Sequence, residues 1–204
     1  MTTWFQTVYE SCEKSYYDLI NPLSRVLARA RVHPHVLTVT GFVLALVAAN
    51  FFRIDRFFWA GIFIILAGTC DVLDGRLARD TGKGSTYGAL FDSTIDRYTE
   101  IALFLGLAWY FSYSRITTLI ILLAMAGSLL VSYTRARSEG LGRECHVGIM
   151  QRQHRITLLV AGAILGAIPG TSHAAMIVVL WAIAILANVT AVQRVAYIRK
   201  QLRQ

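Results

Sequence analysis

Charged residues, proline and cysteine are all scarce in this sequence. Only 16% of the 204 residues are charged, against about 25% in a typical soluble domain, which excludes a soluble globular enzyme. Three prolines leave room for long helices, because proline breaks a helix interior. Three cysteines without a CxxC pair exclude a disulfide framework. Apolar residues are abundant instead: they make up 55% of the chain and are gathered into long runs.

The apolar runs predict an all-α polytopic membrane protein. A helix needs about 20 mostly apolar residues to cross the hydrocarbon core, and six runs meet or approach that length. A membrane barrel would require short alternating strands separated by turns, and the runs do not have that pattern. We therefore expect one membrane domain over 1–204, with an N-terminal segment at 1–31 and a six-helix transmembrane bundle at 36–195. The predicted spans are 36–52, 57–79, 87–111, 116–133, 156–168 and 173–195.

The basic residues predict the orientation of the chain. Cytoplasmic loops of membrane proteins carry an excess of lysine and arginine. All but Arg53, Arg56 and Arg115 of the 20 basic residues fall on one side, which we expect to face the cytoplasm from a bacterial-type inner membrane. The net charge of +8 suits membrane lipids or phosphorylated substrates there, and not nucleic acid. Aromatic and polar residues alternate over 2–31, which predicts an amphipathic interfacial helix.

Four aspartates lie within the second and third predicted spans, where a charged side chain is costly and is therefore a functional candidate. Asp71 and Asp74 are three residues apart, and Asp92 and Asp96 are four apart, so each pair shares one helix face. We expect the two helices to be antiparallel neighbours whose carboxylates converge near the cytoplasmic surface. Such a cluster requires divalent cations, and all-oxygen ligation favours Mg²⁺, Mn²⁺ or Ca²⁺ over Zn²⁺.

Small and basic residues beside these aspartates indicate a diphosphate ligand. Gly75 and Gly88 allow a backbone or a nucleotide to approach closely, and Arg79 offers a planar fork for phosphate. A structural polar network or the proton pathway of a transporter would explain the aspartates, but not these neighbours at fixed spacing. Intramembrane prenyltransferases also use carboxylate-bound magnesium and a diphosphate, but their two aspartate motifs lie on well-separated helices.

The segment from residue 71 to residue 96 resembles the signature of the CDP-alcohol phosphotransferase family. The resemblance implies an enzyme that binds a CDP-alcohol, displaces CMP and joins the phosphoalcohol to a second alcohol. The four aspartates would hold two metal ions, Mg²⁺ or Mn²⁺, and Asp96 would be the general base. The eight matching positions are Asp71, Asp74, Gly75, Ala78, Arg79, Gly88, Asp92 and Asp96.

The same resemblance implies a homodimer and a binding site for the CDP-alcohol. The nucleotide and diphosphate contacts would come from the signature residues, from Ser85, and from a turn before the first span. The implied binding residues are His33, Pro34, His35, Val36, Asp71, Asp74, Gly75, Ala78, Arg79, Ser85 and Gly88.

Four arginines at the cytoplasmic ends of the later spans bear on the acceptor alcohol: Arg135, Arg152, Arg155 and Arg194. As a cluster without compensating charge, they suit an acceptor that carries its own phosphate; the alternative is plain positive-inside topology. Within the family, the segment 133–139 and the pair at 152 and 155 resemble bacterial phosphatidylinositol phosphate synthases. That resemblance implies CDP-diacylglycerol as donor and inositol phosphate as acceptor. Glycerol 3-phosphate, the acceptor of a phosphatidylglycerophosphate synthase, satisfies the same charge argument.

Overall fold

The computed structural model describes residues 22–24, 26–30, 32–82, 84–168 and 173–202, and six α-helices account for most of them. No strand occurs in these ranges. The predicted amphipathic helix lies mostly outside the described residues, although 22–24 and 26–29 are helical. A 3-10 turn at Phe111–Tyr113 follows the third helix. The helices are α1 (Pro34–Arg53), α2 (Phe57–Asp80), α3 (Thr86–Tyr110), α4 (Arg115–Glu139), α5 (Arg152–Gly166) and α6 (Ala174–Gln201).

Local capping signals determine where three of the helices begin. Pro34 occupies the first turn of α1, where its missing N–H costs nothing, and the His33 side chain caps that turn. The hydroxyl of Ser85 accepts a hydrogen bond from the Gly88 N–H at the start of α3. Ser114 caps α4 in the same way. All three helices therefore begin within two residues of the predicted positions.

Four of the six helices, α1, α2, α4 and α6, are long and apolar enough to cross a membrane. The other two helices, α3 and α5, do not meet this criterion, each for its own reason. Helix α5 has 15 residues, or about 22 Å of helix, which is shorter than the roughly 30 Å hydrocarbon core. Helix α3 has 25 residues but carries Asp92, Asp96, Arg97 and Glu100 between its start and its middle turns. Six helices thus lie at the six predicted spans, and four of them qualify by length and composition.

Helix α1 organises the packing around the aspartates, because both α2 and α3 pack against it. Helix α6 packs against α4 and α5, and α5 also packs against α2. The expectation that α2 and α3 are direct neighbours is wrong: within the described ranges they do not pack closely against each other. Both helices pack on α1 instead, and their carboxylates meet within 4.8 Å without a packed interface between the helices.

Among the glycines of the described helices, Gly106 on α3 comes closest to the backbone of another helix, at Ala49 on α1. A Cβ atom at position 106 would lie 2.8 Å from the Ala49 Cα, closer than real Cβ contacts come. Only glycine therefore allows α1 and α3 to approach this closely.

We expect Gly106→Ala to destabilise the protein by about 1–3 kcal/mol, because the added methyl meets rigid backbone and overpacks the interface. The midpoint of thermal unfolding in detergent should fall by several degrees. Gly140→Ala is the matched control, since a Cβ there has ordinary contacts of 3.5 Å or more and the backbone is right-handed helical. Equal stability of the two variants would contradict the close contact of α1 and α3.

Candidate active site

Three aspartates from two helices meet beside a cavity of about 710 Å³, and two of them, Asp71 and Asp74, line it. One carboxylate oxygen from each of Asp71, Asp74 and Asp92 lies within 4.8 Å of the other two. The cavity is lined by residues of α1, α2, α3 and α5. The predicted convergence of the aspartates is therefore present for three of the four.

The partners of these carboxylates leave room for a cation. Asp74 is only 5% exposed, and one of its oxygens accepts a hydrogen bond of 2.6 Å from the hydroxyl of Thr38 on α1. Asp92 has a buried oxygen, Oδ1, with no hydrogen-bond partner among the described residues. A buried carboxylate oxygen without a partner is costly, and a hard divalent cation is the ligand that three carboxylates suit best. The residues present thus fit a divalent metal ion.

Asp96 lies one helical turn beyond Asp92 and meets an arginine instead of the other aspartates. Its carboxylate is 2.7 Å from Nη2 of Arg152 on α5 and 3.7 Å from Nη1 of Arg97. Arg152 also donates from Nη1 to Asp71 at 2.8 Å. One guanidinium therefore links a carboxylate of α2 to a carboxylate of α3. Asp96 lines the cavity, where it is placed to exchange a proton with a bound hydroxyl.

The predicted nucleotide-binding residues lie where the start of α1 meets the start of α3. A Cβ on Gly88 would be 3.1 Å from the Ser85 hydroxyl oxygen and 3.3 Å from Cε1 of His35. The rings of His33 and His35 are 4.6 Å apart. The Ser85 hydroxyl is engaged as the α3 cap and remains on the exposed side of the turn.

The remaining members of that set surround the first turn of α1 and the end of α2. Among the described residues, and apart from its own helix backbone, only the Arg79 guanidinium lies within 4 Å of where a Cβ of Gly75 would be, so these residues leave the surface above this glycine open. Arg79 is itself exposed, whereas Ala78 is half-buried. Pro34 is buried in the helix start and Val36 is exposed.

The four arginines of the predicted acceptor site all have protein partners. Three of them pair with carboxylates, so the expectation of a cluster without compensating charge is wrong for Arg135, Arg152 and Arg155. Arg135 pairs with Glu139 at 2.9 Å on the same exposed helix turn, a spacing of four that the sequence already shows. Arg194 is buried and donates to two backbone carbonyls, those of Val131 and Val147. Arg152 pairs with the aspartates, as described, and Arg155 has its own carboxylate, that of Glu100.

Two residues that directly contact the predicted site residues, Thr38 at Asp74 and Glu100 at Arg155, are missed by reasoning from sequence. Thr38 is a polar residue in the apolar run of α1, and its hydrogen bond to Asp74 has no local signal. Glu100 does have a signal, because it continues the four-residue spacing of Asp92 and Asp96 along α3. It lies on the same helix face, deeper in the bundle.

Comparison with known proteins gives the family. Residues 31–193 match the family model of the CDP-alcohol phosphatidyltransferases. The chain belongs to this family. It is accordingly a transferase of phospholipid biosynthesis, and its apolar helices are those of an integral membrane protein. The signature resemblance seen in the sequence is confirmed.

Several similar proteins are named as synthases of a lipid that carries inositol phosphate. The phosphatidylinositol phosphate synthase of Mycobacteroides abscessus is 33% identical over 193 residues, covering 91% of this chain and 86% of the relative. The archaetidylinositol phosphate synthase of Pyrococcus horikoshii is 33% identical over 191 residues, covering 89% and 93%.

The fold is also similar to solved structures of a phosphatidylinositol phosphate synthase. The crystal structure of Mycobacterium tuberculosis phosphatidylinositol phosphate synthase with CDP-DAG bound has a TM-score of 0.80 and 29% identity, and covers 87% of this chain and 92% of that one. A second structure of the same synthase, in complex with manganese and citrate, also has a TM-score of 0.80, with 29% identity and 87% coverage of each chain. Together with the three-aspartate cluster, the manganese complex indicates divalent metal use in this family member.

We expect Asp74→Asn to lower the affinity for Mn²⁺ at least tenfold. Loss of a group that merely orients a metal ligand costs about 10–100-fold, and loss of a ligand itself should cost no less. Free Mn²⁺ measured by electron paramagnetic resonance during a titration of the purified protein gives the affinity directly. Asp80→Asn is the matched control, because Asp80 is an exposed carboxylate on the same helix and pairs with the Arg76 side chain. Unchanged Mn²⁺ binding by Asp74→Asn would remove this cluster as the metal site.

Proposed function

We propose that this protein transfers a phosphatidyl group from CDP-diacylglycerol to a phosphorylated alcohol, inositol 1-phosphate, and releases CMP. The observation that carries the proposal is the meeting of the Asp71, Asp74 and Asp92 carboxylates beside one cavity, with Arg152 bridging Asp71 to Asp96, in a chain of this family. The names of the bacterial and archaeal relatives differ in the lipid and share the inositol phosphate product. That shared part supports inositol phosphate as the acceptor.

The four aspartates would hold the metal ions of this reaction. We assign two Mg²⁺ ions, which Mn²⁺ can replace, to Asp71, Asp74, Asp92 and Asp96. Bound there, the ions would supply Lewis-acid stabilisation of the charge that develops on the diphosphate. Carboxylate oxygens are the ligands that both ions prefer.

Asp96 is the proposed general base. Its carboxylate lines the cavity, and it would take the proton from the acceptor hydroxyl as the oxygen attacks the β-phosphorus of the CDP-lipid. A bond forms between the acceptor oxygen and this phosphorus, and the bond from the phosphorus to the CMP oxygen breaks. Arg152, at 2.7 Å, holds the Asp96 carboxylate at the cavity wall.

The CDP headgroup would lie across the starts of α1 and α3. The open surface above Gly75 and the exposed Arg79 suit the diphosphate. His33 and His35 would border the cytidine. The glycine at position 88 keeps the α3 start close to His35. The other residues assigned to this site are Pro34, Val36, Ala78 and Ser85.

The acceptor phosphate would bind on the arginine side of the cavity. The Arg135 side chain is exposed, with 48% of its surface accessible, and Arg152 keeps 26% of its side chain accessible. Arg194 is buried, lies within electrostatic range of Arg135 and Arg155, and adds positive potential. Glycerol 3-phosphate would meet the same charges, so a phosphatidylglycerophosphate synthase is the second candidate function.

The proposed setting is a bacterial-type inner membrane with the aspartates on the cytoplasmic side. All six helices would span it as a single membrane domain, α3 with its charged face turned to the cavity and α5 as a short span. The amphipathic segment at 2–31 would lie on the cytoplasmic surface. The excess of basic residues on that side supports this orientation. A homodimer is proposed from the family resemblance.

We expect the purified protein to release CMP from CDP-diacylglycerol with Mg²⁺ and inositol 1-phosphate, and not with inositol or serine. The arginine side of the cavity offers charge that only a phosphorylated acceptor can use. CMP is quantified by chromatography, and each reaction has a parallel sample with EDTA. Release with glycerol 3-phosphate alone would keep the reaction and replace the acceptor. Release that persists in EDTA would contradict the metal-dependent mechanism.

We expect Asp96→Asn to reduce turnover by about 10²–10⁴-fold, the contribution typical of a general base. Asparagine has the same shape and cannot take the proton. Binding of CDP-diacylglycerol should persist, as measured by thermal stabilisation of the variant by the lipid. Asp80→Asn, an exposed carboxylate outside the cavity, serves as control and should retain full turnover. Wild-type turnover in Asp96→Asn would exclude this residue as the base.

A further inference from the structure

Glu100 lies outside the family signature but one helical turn beyond Asp96 on α3. Its side chain is only 3% exposed, and a buried carboxylate is tolerated only when it is fully partnered. The partner is Arg155 of α5, whose side chain has no exposed surface. Nε of Arg155 lies 2.5 Å from Oε1 of Glu100, and Nη2 lies 2.9 Å from Oε2. Such a bidentate contact fixes the guanidinium in both position and orientation.

Arg155 also holds the chain that leads into α5. Its Nη1 donates to the carbonyl of Met150 at 3.1 Å. The N–H of Met150 donates in turn to the hydroxyl of Thr190 on α6 at 3.1 Å. Every nitrogen of the Arg155 guanidinium therefore has a protein acceptor, so this arginine is engaged inside the protein and does not face a bound acceptor.

Two ion pairs run in parallel between α3 and α5. Asp96 pairs with Arg152, and one turn deeper Glu100 pairs with Arg155. Helix α5 packs closely against α2 and α6, and within the described residues it has no comparable packing against α3. The two ion pairs are therefore the principal link between these helices beside the cavity.

We propose that Glu100 and Arg155 are positioning residues: their ion pair holds the start of α5 where Arg152 reaches Asp96. The inference rests on the proposed function, since it concerns the geometry of the proposed base. A buried ion pair adds little stability relative to apolar residues of the same volume. A displacement of 1 Å in a reacting group, by contrast, costs about 100-fold in rate. The role that this pair fits is therefore positional.

The test compares Glu100→Gln, Arg155→Lys and an apolar double variant, Glu100→Leu with Arg155→Met. Glutamine keeps the shape of Glu100 without its charge, and lysine lacks the fork that binds a carboxylate at two points. The double variant removes both charges together, which a fold commonly tolerates, so it gives folded protein even where a single variant does not. Asp80→Asn is the control, a carboxylate in an exposed pair with Arg76.

The measurements are kcat and the KM values for both substrates from CMP release, together with the midpoint of thermal unfolding. We expect kcat to fall about 10–100-fold in all three variants. Both KM values should stay within about threefold of the parent, and Mn²⁺ affinity should not change. The double variant should unfold at a temperature close to that of the parent, which separates the loss of rate from a loss of fold.

Two results would overturn the inference. A rise in the acceptor KM at unchanged kcat in Arg155→Lys would make this arginine an acceptor-binding residue. Parent-like kcat in the double variant would make the pair purely structural. Failure of the proposed function is a separate observation, because then the parent itself releases no CMP with any acceptor and no comparison with its variants arises.

Discussion

Mutual repulsion of clustered carboxylates is the constraint on which this site depends. Two carboxylates about 5 Å apart repel by roughly 3 kcal/mol at an effective dielectric constant of 20, and Asp71, Asp74 and Asp92 approach one another within 4.8 Å. The fold accommodates them by packing α2 and α3 on α1 and not on each other. The Thr38 hydroxyl donates a hydrogen bond to Asp74, and the positive charge of Arg152 offsets part of the negative charge of Asp71. The remaining negative charge, together with a buried oxygen of Asp92 that has no partner among the described residues, suits the cluster to a divalent cation.

Of the four arginines at the ends of the later helices, two are buried and two keep accessible surface, and the two groups have different roles. The positive-inside rule explains why arginines gather at one end of the helices, but it does not explain why some are buried. Arg194 donates to carbonyls of α4 and of the chain after it, and Arg155 donates to the carbonyl of Met150. These two fix the connection between α4 and α5. Arg135 and Arg152 keep exposed surface and remain accessible to an anion.

Local features of the sequence predict the helices well, because apolar runs, caps and the spacing of three or four between aspartates act over a few residues. The pairing of helices could not be predicted in the same way. The expected packing of α2 against α3 is wrong because a short connection does not determine which helix each of them packs on, and both pack on α1. The pair of Glu100 with Arg155 joins residues 55 positions apart. Glu100 has a sequence signal in its spacing from the aspartates, and Arg155 is one of the four candidate arginines, but nothing local in the sequence joins the two.

One end of the cavity is charged and the rest of its wall is apolar. This difference determines how the two substrates of the proposed reaction would be oriented. Asp71, Asp96 and Arg152 line its charged end, whereas Ala45 and Leu103 belong to an apolar wall further along the helices. A CDP-lipid fits such a cavity in one direction, with its diphosphate at the aspartates and its chains along the apolar wall. A phosphorylated acceptor finds no partner on that wall and must approach from the arginine side. Since Arg152 contacts carboxylates of both α2 and α3, the two substrates would meet beside it.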